Sequence, residues 1–194
     1  RKILSKQADR SVVVCAIGPL NNLSNLLKTD GDEYSPLNGL ELVKAKVKRL
    51  AVMGGVFPEG LSWNLQQDGP AARKVIDEWP SPVIFSGREI GLMVKTGNRL
   101  YTETPESNPV RRAYELWTGG TDRPSWDQTT VLCAVRGTSD YWTASPRGRC
   151  VVRPDGYSKW QDDVNGKHLY LIQKMPVQQL AKEIEDMMLQ SPCK

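Results

Sequence analysis

The sequence predicts an α/β fold: an open, mostly parallel sheet with flanking helices and a small β-hairpin region near the C-terminus. Three observations predict it. Residues 11–17, 47–53 and 83–86 are apolar runs, the first rich in β-branched residues, as strands buried on both faces require. Each run closes on glycine, at Gly18, Gly54-Gly55 and Gly87. Helical periodicity fills the intervals, and strand–helix–strand order implies right-handed crossovers and a parallel sheet.

Along the chain, Leu20, Leu23, Leu26 and Leu27 recur at helical spacing behind Pro19. A proline there loses only a donor that the first turn would not use. Residues 30–35 read as an exposed polar loop and 37–43 as a short helix. Residues 69–79 form a helix with Ala72, Val75, Ile76 and Trp79 on one face, Asp68 as N-cap and Pro80-Ser81-Pro82 as its stop. Residues 98–107 read as a loop and 109–118 as a helix. A Gly/Pro-rich loop then leads to a helix over 126–136, with Ser125 as N-cap. Residues 148–153, 157–161 and 168–173 read as short strands, with turns at Pro154-Asp155-Gly156 and Asn165-Gly166. A helix over 176–190 turns Leu180, Ile184, Met187 and Met188 inward. No linker or repeat interrupts the pattern, so 1–194 reads as a single domain.

The net charge of +4 is spread along the chain, and the densest basic cluster (Lys44, Lys46, Lys48, Arg49) flanks a strand as a solvated helix end would. No nucleic-acid partner is expected. No apolar run approaches the roughly 18 residues of a membrane span, so no membrane partner is expected either. The chain opens on Arg1 without an apolar signal region, which reads as a processed product, a fragment or a partial chain. Localisation stays open between cytoplasmic and exported. Cys15, Cys133, Cys150 and Cys193 have no metal-type spacing. Cys15 and Cys133 read as small buried hydrophobes.

Four segments carry more than fold: Ile17-Gly18-Pro19-Leu20-Asn21-Asn22, Met53-Gly54-Gly55, Trp63-Asn64-Leu65-Gln66-Gln67-Asp68 and Ser125-Trp126-Asp127-Gln128. In this order they resemble the C-terminal two-thirds of an inosine-uridine-preferring nucleoside hydrolase, from about Ser11 to Pro192. Trp63-Asn64, Phe-Ser-Gly-Arg-Glu-Ile-Gly at 85–91 and Pro-Ser-Trp-Asp-Gln at 124–128 resemble a divergent branch of that family. Each motif is weak alone; the set is specific.

The resemblance implies hydrolysis of the N-glycosidic bond of a small-molecule nucleoside, through an oxocarbenium-like transition state. It implies a Ca²⁺ ion, with the Ile17 carbonyl and the Asp127 carboxylate among its oxygen ligands. It implies that Asn64 hydrogen-bonds the sugar and that Trp126 stacks on the base. The general base would come from the family's Asp-rich N-terminal motif, and the strand or strands around it are missing from these residues. The chain alone is therefore expected to be inactive. A homo-oligomer is compatible with the sequence.

Three departures favour a second reading, a non-catalytic nucleoside- or sugar-binding protein of the same fold. No Asp-rich DxDxxxDD-like run occurs; Asp30-Gly31-Asp32-Glu33 follows the first helix and reads as an exposed loop. Ser62 stands where a glutamate is expected, and the loop from Gly55 to Asn64 looks short. Trp126 replaces a histidine, and an indole cannot protonate a leaving base. The only histidine, His168, lies beside a turn. Read without the resemblance, Asp127 is an acid favoured by a helix dipole, Asn64 a loop-capping amide, and Trp126 packing under a loop.

Overall fold

The computed structural model describes residues 1–190, so Cys193 and the end of the resemblance at Pro192 lie outside it. A short helix α1 (Lys2–Ser5) precedes β1 (Val12–Ala16), α2 (Asn21–Leu27), α3 (Gly39–Lys46) and β2 (Val47–Met53). Next come β3 (Glu59–Leu61), α4 (Trp63–Gln66), α5 (Gly69–Glu78), β4 (Val83–Ser86) and α6 (Arg88–Met93). A small lobe follows: β5 (Lys95–Thr96), α7 (Asn98–Glu103), α8 (Pro109–Thr118) and β6 (Arg123–Pro124). The chain returns through α9 (Trp126–Arg136), β7 (Trp142–Ala144), β8 (Gly148–Val152), β9 (Tyr157–Asp162), β10 (His168–Gln173) and α10 (Val177–Leu189).

The main sheet runs β1-β2-β4-β10-β8-β9-β3, with β7 also on β10. Its first four strands are parallel, and β7, β8, β9 and β3 are antiparallel to their neighbours. The C-terminal hairpin is thus an extension of the sheet. Its last strand, β10, is the fourth parallel strand and pairs Leu169 with Ile84. Register aligns the strand ends: Ala16 lies beside Val52, and Met53 beside Ser86. The loops that begin at Ile17, Gly54 and Gly87 therefore leave from one rim.

Continuous apolar runs are explained by cover on both faces. Val12, Val14, Ala16, Leu50, Val52, Val83 and Phe85 join one core with Leu42, Val75, Ile76 and Trp79 of the helical layer. Val13, Cys15, Ala51 and Ile84 join the other, with Leu132 and Cys133 of α9 and Leu180 and Ile184 of α10. The outer edge of β1 has no partner strand among the described residues, and all five of its residues are half-buried.

The Asp68 cap matches the sequence reading, and a further cap on α3 is added by the structure. The Asp68 carboxylate accepts the Ala71 N–H at 2.9 Å, and Asn38 with Glu41 forms a capping box on α3. Ser125 sits at the N-cap position of α9, but its hydroxyl pairs with Thr96 Oγ1 at 2.7 Å and caps nothing. The expected loop at 98–107 contains α7 instead. The N–H groups of Gly97 and Arg99 donate to buried Glu185 of α10, and Arg99 pairs with Glu103 and Asp186. Those contacts are tertiary, so local propensity does not register them. Arg49 of the basic cluster is spent on fold, donating to the Ala134 carbonyl near the C-terminal end of α9 at 3.0 Å.

Candidate functional site

In open α/β sheets ligands bind where strands end and loops converge. Here that rim is stitched together. Gly54 N–H donates to Ser86 O at 3.2 Å, and Arg88 N–H to Gly55 O at 2.9 Å. Asn64 enters from α4, 8% exposed, and its amide donates to Met53 O at 2.9 Å and Ile17 O at 3.3 Å. It therefore bridges the ends of β1 and β2. Asn64 Oδ1 accepts from no protein donor among the described residues.

Ser62 is buried and accepts the Gly55 N–H at 2.7 Å. The residue standing in for a glutamate thus closes the loop, which also carries β3 on the sheet's far edge. Asp68 is occupied by its cap and by Asn21. The 30–33 segment is exposed, with Asp32 paired to Arg1.

Trp126 and Asp127 arrive on the first turn of α9, which packs across β1, β2 and β4. Close approach of α6 makes this possible: a Cβ on Gly91 would sit 2.4 Å from Trp126 Cα, so no side chain fits there. The Trp126 indole N–H donates to Arg88 O at 2.9 Å, which ties the ring to the β4–α6 turn. Asp127 is exposed as a residue, yet desolvation pushes its carboxyl pKa up, with the Arg123 charge pulling it back. Its charge is felt by the Cys15 thiol, which burial chiefly raises. Glu89 is a further acid on the rim, its pKa raised mainly by burial. Glu89 lies in the motif at 85–91, but its burial was not legible there.

His168 is excluded from this rim. It is the first residue of β10 and pairs with Val83, the first of β4, at the opposite end of the parallel strands. It is buried, and its Nδ1 accepts the Cys150 N–H at 3.0 Å. Cys15 is half-buried, and Cys133 and Cys150 are buried; all three are free thiols.

The oxygen donors here do not make a calcium cage. Ca²⁺ takes six to eight oxygens, whereas the rim offers the Asp127 and Glu89 carboxylates and an Ile17 carbonyl already engaged by Asn64. No cluster of three acidic, histidine or cysteine side chains occurs among the described residues.

The architecture matches solved nucleoside hydrolases. The inosine-uridine-preferring enzyme from Bacillus anthracis superposes with a TM-score of 0.69 at 15% identity, over 96% of this chain and 62% of that one. A plant nucleoside hydrolase gives 0.64 at 16% identity, over 98% and 65%. An inosine-guanosine nucleoside hydrolase gives 0.63 at 20%, over 96% and 65%. The chain thus has the nucleoside-hydrolase fold and spans less than two-thirds of the length of these structures. No protein-family model matches it, and no curated protein matches it in sequence.

Asn64 can be tested directly. Asn64→Ala is expected to lower stability by about 1–3 kcal/mol, because two strand-end carbonyls lose their donor. Urea unfolding checks this; an unchanged midpoint would mean that the amide is not holding the rim.

Proposed function

We propose that the complete protein hydrolyses the N-glycosidic bond of a nucleoside, and that these 194 residues form part of that site. The observation that carries the reading is the convergence, on a nucleoside-hydrolase fold, of the Ile17 carbonyl, Asn64 and Trp126-Asp127 on one rim. Asn64 Oδ1 would accept from a sugar hydroxyl, and the Trp126 ring would stack on the base. A Ca²⁺ ion would be held only jointly, by Asp127, the Ile17 carbonyl and carboxylates outside these residues. The general base would also lie outside them.

One observation favours the second reading, a nucleoside- or sugar-binding protein without turnover. Trp126 has no titratable proton, and its single N–H is already given to Arg88 O. The test is release of base from inosine and uridine with added calcium. This chain alone is expected to show none. The intact parent protein is expected to release base, and its Asp127→Ala variant to lose on the order of a hundredfold in kcat/KM. Nucleoside binding without base release by the intact protein would establish the binding reading instead. Turnover by this chain alone would overturn the placement of the base outside it.

A further inference from the structure

A second feature adjoins the rim, a cleft of ≈ 330 Å³ between α8 and α9. Tyr114 and Trp117 of α8, Arg123 of β6 and Trp126, Asp127 and Gln128 of α9 line it. The Arg123 guanidinium lies over two indoles, 5.2 Å from the Trp117 ring centre and 5.9 Å from that of Trp126. It has no carboxylate within ion-pair distance among the described residues, whereas the other arginines of this lobe, Arg99, Arg111 and Arg112, are each paired with an acid. Trp117 is 71% exposed, an unusual placement for an indole. The cleft wall is nevertheless ordered, with Gln128 Nε2 donating to Tyr114 Oη at 2.7 Å and Trp126 pinned to Arg88 O.

We propose that this cleft binds a nucleotide: a base stacked on the Trp117 or Trp126 ring, with its phosphate on Arg123. Indole faces accept any base by stacking. A guanidinium fork matches phosphate geometry with two parallel hydrogen bonds. An exposed cation–π contact is weaker than such a charge-assisted pair, so Arg123 gains by leaving the rings for the phosphate as the base takes its place. Asp127 lines the same cleft and repels an anion, which directs the phosphate to the Arg123 side. The inference deepens the nucleoside reading, since Trp126 and Asp127 belong to both sites. It makes the preferred ligand anionic.

The test is quenching of tryptophan fluorescence in this chain by adenosine 5′-phosphate, adenosine and ribose 5-phosphate, without calcium. No bond is broken, so the result is independent of whether the protein hydrolyses anything. Adenosine 5′-phosphate is expected to bind at least about tenfold more tightly than adenosine, and ribose 5-phosphate more weakly than either. Arg123→Ala is expected to abolish the preference, so that the nucleotide and adenosine bind with equal affinity. Trp117→Ala is expected to weaken both, and Arg123→Lys, which keeps the charge but not the fork, to fall between. Far-UV circular dichroism checks that each variant is folded. Equal affinities in the unmodified chain, no quenching at millimolar ligand, or a nucleotide preference that survives Arg123→Ala would each overturn the proposal. In the last two cases Arg123 would be a clamp between α8 and α9 only.

Discussion

Phe85→Ala is expected to lower unfolding free energy by about 3–5 kcal/mol, enough to unfold a marginal domain. Phe85 is fully buried at the centre of the parallel strands. Its ring meets Phe57 at 5.5 Å between centroids and His168 edge-on at 5.7 Å. Truncation removes apolar burial and leaves a cavity between groups that cannot close it, because each is anchored elsewhere. Phe57 also stacks on Tyr170 at 4.7 Å, and His168 holds the Cys150 amide. The residue after Phe85 is Ser86, whose carbonyl accepts Gly54, so the rim should loosen with the core. Urea denaturation of the variant measures the loss. A change below about 1 kcal/mol would show that β4 is not the packed centre of the sheet.

Acid is expected to destabilise the protein between about pH 6.5 and pH 4 through His168. Burial pushes its pKa down to about 4, with Lys167 and Arg149 adding to the shift and Asp77 and the Ile76 carbonyl opposing it only in part. In the neutral ring Nδ1 accepts the Cys150 N–H; a proton there would turn acceptor into donor and break the bond. Because the folded value is depressed, the unfolded chain binds more protons across this window. Stability is fully present above about pH 6.5 and is lost as pH falls through 4, by about 3 kcal/mol in all. His168→Gln keeps an acceptor for the Cys150 amide and should flatten the window. Unfolding midpoints at several pH values check this. A wild-type profile no steeper than that of His168→Gln would mean that the imidazole titrates freely.

Much of the fold was legible in the chain. β1, β2 and β4 follow from runs that are apolar on both faces, α2, α5, α8 and α10 from periodicity with prolines or caps at their starts, and α9 from the Gly/Pro-rich loop before it, although Ser125 does not cap it. Asp68 reads correctly as a cap, because its partner lies three residues away. Arg123 and Trp117 were not legible as a unit. They bracket Gly119-Gly120, and nothing in spacing says that the chain folds a guanidinium onto an indole. Glu89 and Ser125 were missed or misread for the same reason, since what decides their state is a neighbour distant in sequence.

The sequence by itself determined the layer architecture, the parallel strands and the positions of the strand-end loops, since these depend on local periodicity and on glycine and proline punctuation. Only the tertiary structure decided which residues share a rim. Parallel register puts Ile17, Asn64 and Gly87 together and sends His168 to the far end. It also made β10 a central strand and raised the pKa of Asp127 by desolvation. Register, burial and charge proximity are properties of chain segments many residues apart, and no window of the sequence contains both partners.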